Sequence, residues 1–147
     1  MINQNKKIVQ KIVLGGVVIR DGKVLILQRH KNEDVYPNIW ELPSGKREPL
    51  EPSESSLIRE VKEEAGLAVS IILPFSVFDY HIDKPDEIRD STQINFLVAP
   101  ADDADVVLSG EHQAFAWITL KEIDQYKLTD ATKNVIRKAF EIIPKIL

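Results

Sequence analysis

The stretch GKREPLEPSESSLIREVKEEAGL, from Gly45 to Leu67, carries the most informative pattern in the chain. In a helix, Glu60, Glu63 and Glu64 have the spacing i, i+3 and i+4, which places three carboxylates on one face. Three like charges held close together repel one another unless a counter-charge is present. Mg²⁺ binds carboxylate oxygens and keeps positions open for water and phosphate. The stretch therefore predicts a metal site for phosphate chemistry.

A purely structural interpretation of this helix is also available. Glu and Lys are strong helix formers, and an Arg59–Glu63 pair at i, i+4 spacing is an ordinary feature of exposed helix faces. A short charged segment taken alone is more often a solvated face than a metal site. The choice between the two interpretations therefore depends on the wider pattern.

The wider pattern resembles the Nudix box, the signature of hydrolases that cleave nucleoside diphosphates linked to another moiety. Every fixed position of the box is present: Gly45, Glu51, Arg59, Glu60, Glu63, Glu64 and Gly66, with apolar Val61 and Leu67. Other segments are similar to the MutT and bacterial CTP pyrophosphohydrolase branch: Leu27-Gln28-Arg29, Trp40-Glu41-Leu42-Pro43, and Glu111-His112-Gln113 through Trp117. Two variable positions depart from that branch, because Ser44 and Leu50 stand where glycines are common.

The order of strand-like and helical segments indicates an α+β fold. The strand-like runs are Ile8–Arg20, Val24–Gln28, Trp40–Leu42, Ala68–Tyr80 with a break at Pro74, Gln93–Ala99 and Gln113–Thr119. Asp21-Gly22 predicts a hairpin turn, and Gly15-Gly16 predicts a bulge or a close approach of the backbone to a ligand. The alternation of strands and helices favours an α/β/α sandwich with a mixed sheet, which is also the architecture that the resemblance implies.

Three helices are predicted around this sheet. The first opens at Pro52-Ser53-Glu54 with Ser53 as its N-cap and ends at Gly66, while Thr119 and Thr129 predict the starts of a short helix and a C-terminal helix. The expected buried face of the first helix is Leu57, Ile58, Val61 and Ala65. The expected stripe of the C-terminal helix is Val135, Ile136, Ala139, Phe140 and Ile143.

Composition favours one globular domain over residues 1–147. Apolar residues make up 44% of the chain and charged residues 29%, as in an ordinary soluble protein. The net charge of −4 disfavours binding to duplex nucleic acid, which needs a basic surface. The chain has no cysteine, which excludes disulfides and thiolate metal sites and is compatible with the cytoplasm. The apolar run Ile12–Ile19 is far shorter than the ~20 residues that a membrane helix needs, so no membrane association is expected.

The resemblance implies roles for several residues of the box. Mg²⁺, or Mn²⁺ in its place, would activate a water molecule that attacks a phosphorus atom. Glu60 is the first candidate for the general base and Glu111 the second, while Arg59 would orient Glu63 or a neighbouring carboxylate. The expected metal ligands are the backbone carbonyl at Ser44 or Gly45 and the side chains of Glu60, Glu63, Glu64 and Glu111.

Three residues are candidates for substrate binding, each with a structural alternative. Arg29 matches a phosphate-contacting Arg of MutT-like relatives, although an Arg at a strand end is otherwise a routine surface residue. Phe78 alternates with Tyr80 along a strand and can stack on a base or pack in the core. Asp130 lies near the position of a base-reading Asn or Asp in relatives, and it can equally belong to the Thr129 helix cap. The histidines lack the spacing of metal ligands.

We predict that the chain is a nucleoside triphosphate pyrophosphohydrolase that releases a nucleoside monophosphate and pyrophosphate. Hydrolysis of ADP-ribose or of dinucleoside polyphosphates is the main alternative, because Glu111-His112-Gln113-Ala114 is also similar to diadenosine tetraphosphate hydrolases. A non-catalytic nucleotide-sensing module is the second alternative, and the complete box disfavours it. The oligomeric state is open, with homodimers frequent in the resembling family.

Overall fold

The protein is a mixed β-sheet with helices on both faces. The computed structural model describes residues 5–146. In chain order the elements are β1 (Lys7–Arg20), β2 (Lys23–Arg29), β3 (Trp40–Glu41), β4 (Ser44–Lys46), α1 (Ser53–Ala65), β5 (Val69–Asp83), β6 (Glu87–Pro100), β7 (His112–Ile118), a 3₁₀ helix (Leu120–Gln125) and α2 (Asp130–Ile146). Within these described residues, no helix is both long and apolar enough to cross a membrane. The predicted α+β architecture is confirmed.

The long strand β1 lies at the centre of the sheet, and its neighbours change along its length. The strand order is β3-β2-β1-β6-β5, with β4 paired to β1 and β7 paired to β2. On one side β1 runs parallel to β6 without interruption. On the other side it pairs first with β4, at Val13–Gly15, and then with β2, from Ile19. Because the partner on this side changes, the sheet opens between β4 and β2, next to the start of the box.

Two apolar layers hold the helices against the sheet. On one face α1 buries Leu57, Val61 and Ala65 against Leu14 and Phe96 of the two central strands. On the other face α2 packs through its predicted stripe, with Val135, Ile136 and Ala139 fully buried and Phe140 and Ile143 partly buried. Alternating residues of β1 point to opposite layers, as the two-residue period of a strand requires.

Several local predictions are confirmed by backbone geometry. Asp21 and Gly22 both have positive φ, the conformation of a two-residue hairpin turn. Gly66 ends α1 with φ 71° and donates its N–H to the Lys62 carbonyl. Thr119 forms a capping box with Glu122 at the start of the 3₁₀ helix. Each of these signals depends on near neighbours in the chain, which is why the sequence reveals them.

Other local predictions are wrong. Ser53 is the first residue of α1 and not its cap, because Pro52 occupies the cap position and makes no side-chain cap hydrogen bond. Ile58 is 37% exposed and does not belong to the buried face of α1. Pro74 does not break its strand, since β5 continues past it as an edge strand with shifts in register. The bulge predicted as one alternative at Gly15 is absent, where a Cβ atom would instead overlap the Asn95 side chain, and the other alternative, a close approach to a ligand, stays a prediction.

Candidate active site

A cavity of about 620 Å³ opens on the α2 side of the sheet, where β4 and β2 separate. Its walls include the loop before β3, the first turn of α2 and the facing residues of β5 and β6. Its carboxylates include Glu41 of β3, Glu64 of α1 and Glu111 before β7, and Glu33, Asp34 and Asp79 also lie on its walls. The cavity therefore joins the box helix to residues far from it in the sequence.

Glu64 is the most buried carboxylate of this group, with 7% of its surface exposed. It accepts a hydrogen bond of 3.2 Å from the backbone N–H of Ser44. Burial raises the pKa of Glu64 to about 9, and the negative charges of Glu41, Glu60 and Glu111 act in the same direction. A carboxylate in this position is unfavourable when ionised unless a positive charge lies beside it.

Arg59 supplies part of the positive charge at the box. Its guanidinium donates at 3.0 Å to both carboxylate oxygens of Glu51, at 3.0 Å to Glu60, and at 3.3 Å to both oxygens of Glu63. The Arg59 hydrogen bonds hold the pKa of the Glu51 carboxyl well below its usual range. Arg59 therefore links the loop before α1 to Glu60 and Glu63, two of the expected metal ligands.

Glu60 lies directly against the backbone of Gly45. A Cβ atom at position 45 would overlap the Glu60 carboxyl group, so only glycine allows this approach. Burial raises the pKa of Glu60, Arg59 opposes that shift, and the charges of Glu63 and Glu111 add to it. The close approach brings the Gly45 backbone and the Glu60 carboxylate together, as the resemblance implies for a shared ligand site.

This donor set suits a hard divalent cation. Carboxylate and backbone carbonyl oxygens are the ligands that Mg²⁺ prefers. Several carboxylates here raise one another's pKa values, and the one guanidinium described beside them, that of Arg59, does not balance their combined negative charge. Among the described residues, however, no three His, Asp or Glu side chains are already arranged to hold a metal ion. Glu60 and Glu63 instead face Arg59, so binding of a cation would require these two side chains to turn.

Arg29, a candidate for phosphate binding, lines the cavity but is already engaged with protein groups. Its Nε donates to the Val35 carbonyl at 2.9 Å, and its terminal nitrogens lie 3.4 Å from Glu33 and from Glu41. His112 is buried and lies 2.8 Å from the same Glu41 carboxylate. Because its guanidinium already contacts these protein groups, Arg29 has fewer N–H groups free to bind a phosphate than an exposed arginine at a strand end would have.

The other two substrate candidates lie in different surroundings. Phe78 lines the cavity beside Tyr80, with ring centroids 5.7 Å apart, and also packs against the α2 layer. Asp130 is exposed at the start of α2, while its neighbours Thr129 and Ala131 line the cavity. Phe78 is thus in contact with the cavity, and Asp130 borders it.

Sequence reasoning missed several cavity residues. Glu41 was quoted only as part of a resembling segment, although it lies near Glu64 and contacts both Arg29 and His112. The cations Lys46, Lys84 and Arg89 also line the cavity. No local signal marks the last two, because the pairing of β5 with β6 brings them to the site.

Comparisons with known proteins identify similar chains. A family model described as NUDIX domain matches residues 11–139. The chain is 30% identical over 134 residues to "Nucleoside triphosphatase NudI" of Salmonella arizonae, covering 87% of this chain and 95% of that relative. The protein of the same name from Klebsiella pneumoniae is 28% identical over 130 residues, covering 84% and 92%. The crystal structure of a MutT NUDIX hydrolase from Burkholderia pseudomallei is similar with a TM-score of 0.72 and 28% identity, covering 92% of this chain and 98% of that one.

Proposed function

This chain belongs to the Nudix family of hydrolases, and from that premise we propose that its site hydrolyses nucleoside triphosphates. One water molecule is consumed, the bond between the α- and β-phosphates breaks, and the products are a nucleoside monophosphate and pyrophosphate. The observation that carries the proposal is the crowding of Glu41, Glu60 and Glu111 around Glu64, which lines a cavity that also holds aromatic and cationic side chains. The names of the relatives support the same substrate class.

Members of the family generally use a divalent metal, and we propose Mg²⁺ for this chain, with Mn²⁺ as a substitute. The ligands would be Glu60, Glu63, Glu64, Glu111 and the backbone at Ser44 or Gly45. When bound, the cation neutralises charge on the phosphoryl oxygens and makes a bound water more acidic.

The protein groups have separate tasks in this proposal. Glu60 accepts the proton of the attacking water, and Glu111 is the alternative base. Arg59 positions Glu60 and Glu63 through the hydrogen bonds described above. Phe78 contributes an aromatic face against which a base can stack. Arg29 and Asp130 complete the proposed substrate-binding residues, Arg29 from the cavity wall and Asp130 from its border.

Three further points belong to the same proposal. Residues 1–147 form one catalytic domain, because the described part of the chain is organised around a single sheet. A cytoplasmic location fits the absence of cysteine from the sequence. A homodimer is the assembly to test first, by size-exclusion chromatography with light scattering.

The test is product analysis with Mg²⁺ and with EDTA. The substrates should include unmodified and oxidised deoxynucleoside triphosphates, CTP, ADP-ribose and diadenosine tetraphosphate. Metal-dependent release of pyrophosphate from a triphosphate supports the proposal. Turnover of ADP-ribose or the dinucleotide alone would replace the substrate class, and binding without any turnover would favour the nucleotide-sensing module.

A further inference from the structure

A second charged group lines the same cavity, at the end away from the carboxylates. It consists of Lys46 at the end of β4, Lys84 in the β5–β6 turn, Arg89 of β6 and Lys11 of β1, and we call it the basic cluster. The first three line the cavity directly, and Lys11 is close enough to act on the charge of Lys46. None of these four residues belongs to the expected metal-ligand set.

Strand register brings these cations to one face of the sheet. Arg89 lies opposite Val9 of β1, and Lys46 lies opposite Val13. Residues 9, 11 and 13 of a strand point to the same side, and directly paired residues on neighbouring strands share a side. Lys11, Lys46 and Arg89 therefore project from the face that carries the cavity. Over the four residues from Val13 to Val9, the cluster extends roughly 13 Å along the strand.

The positive charge of the basic cluster is only partly compensated. The charges that act most on Lys46 are Arg89, Lys11 and Lys84, opposed by Glu87, while Asp79 also lines the cavity. The contact between Arg89 Nε and Glu87 is long, at 3.6 Å. The buried Arg89 Nε also finds no hydrogen-bond partner within the described part of the chain. The nearby Asp83 is already paired with Lys6.

On the face of the sheet that carries the cavity, the cations and the aromatic rings lie on opposite sides of the cavity. Phe78 and Tyr80 of β5 lie opposite Gln93 and Ser91 of β6, so they line the far side of the cavity from β1 and β4. Lys46 directly follows Gly45, which contacts Glu60. A long anion bound in the cavity could thus extend from the carboxylates along the basic cluster, while an aromatic ring of the same ligand stacks on Phe78 or Tyr80 of β5.

We propose that the basic cluster binds the terminal phosphates of a nucleoside triphosphate and so selects triphosphates over diphosphates. The inference rests on the proposed function, because it assigns the direction in which the substrate lies in that site. The γ-phosphate, the outer half of the leaving pyrophosphate, would lie on Lys84 and Arg89. A nucleoside diphosphate lacks the γ-phosphate and would not reach these two cations.

The test compares K84Q, R89Q and the double variant with K138Q, which removes one charge from an exposed position on α2. KM is measured for a triphosphate and the inhibition constant for the diphosphate of the same base. We expect the double variant to raise KM for the triphosphate roughly tenfold, the usual cost of losing charge-assisted hydrogen bonds. The inhibition constant of the diphosphate should stay within about twofold of wild type.

Binding of tripolyphosphate and orthophosphate, measured by calorimetry in EDTA, separates this inference from the proposed function. A roughly tenfold weaker affinity of the double variant for tripolyphosphate supports the inference even if no nucleotide is hydrolysed. Equal losses of affinity for the triphosphate and the diphosphate would overturn the inference. It would also be overturned if K84Q, R89Q and the double variant all had the same constants as K138Q. If R89Q lowers the melting temperature, the K84Q variant, altered only in a turn, gives the decisive comparison.

Discussion

The two ends of the cavity carry opposite charge and are built in different ways. The acidic end takes Glu60 and Glu64 from one helix turn, and the Gly45 backbone is held against them by the same short stretch of chain. The basic end draws Lys11 and Arg89 from two strands whose pairing spans most of the sequence. The part of a site that comes from one contiguous segment can be recognised as a motif, whereas groups brought together by strand register, like Glu41 and Glu111 beside Glu64, become visible only in the fold.

The two ends also require different partners. At the acidic end, burial raises the pKa values of Glu60 and Glu64, and Arg59 supplies a counter-charge to Glu60. At the basic end, the partly exposed cations Lys84 and Arg89 lie near Lys46, and Glu87 offsets part of their charge. A divalent cation would relieve the first imbalance and an anion the second. A metal-bound polyphosphate supplies both in one ligand.

The acidic end should be the more sensitive to substitution. E60Q keeps the shape of the side chain but removes its charge and its capacity to accept a proton. We expect kcat to fall by roughly 10³-fold, the range for loss of a general base or metal ligand, with little change in melting temperature. The matched control is E54Q, an exposed position on the same helix. An E60Q variant with near-wild-type turnover would exclude Glu60 as the base.

The next largest effect is expected at the contact between β4 and α1. In G45A the new methyl group would overlap the Glu60 carboxyl group, so one of the two must move. A displacement of this kind near reacting groups can cost about 10²-fold in kcat. Steady-state kinetics of G45A should be compared with G16A, because a Cβ at Gly16 makes only ordinary contacts, the nearest at 3.5 Å. Equal activity of the two variants would show that the Gly45 approach is not required.

The same difference between the two ends explains which features could be predicted from the sequence and which could not. The box helix, its end at Gly66 and the hairpin at Asp21-Gly22 are local signals, and all three are confirmed. The exposure of Ile58 was missed because helical spacing alone does not say how wide the contact with the sheet is. Lys84 and Arg89 could not be assigned to the site, since their position depends on where β5 and β6 pair.

A third prediction concerns the stability of the metal-free protein. The folded-state pKa of Glu64 is about 9, against ~4.3 for an unperturbed Glu. Folding therefore favours the protonated form, and the stabilisation present below the lower pKa is lost as the pH rises towards the higher one. We expect E64Q in EDTA to melt about 4 °C or more above wild type at pH 8. The difference should shrink towards pH 5.

Thermal unfolding from pH 5 to pH 8.5, with and without Mg²⁺, measures this effect. The variant should also lose part of the stabilisation by Mg²⁺, which in the wild type should grow with pH over the same window. E54Q again serves as the control, since its carboxylate is exposed. A lower melting temperature for E64Q than for wild type at pH 8 in EDTA would show that the Glu64 charge is already compensated without metal.

The smallest expected effect lies in the loop that joins the two ends of the cavity. Leu50, between β4 and α1, is 96% exposed and has φ 65°, a left-handed conformation that costs a residue with a Cβ roughly 1 kcal/mol. Glycine relieves this strain but gains freedom in the unfolded chain, so L50G should stabilise the protein by only about 0.5 kcal/mol. Urea unfolding against L120G, a position without positive φ, checks the sign: L120G should destabilise. If L50G also destabilises the protein, the conformation of this loop depends on the Leu50 side chain. The loop would then hold the two ends of the cavity together more rigidly than its backbone conformation alone would.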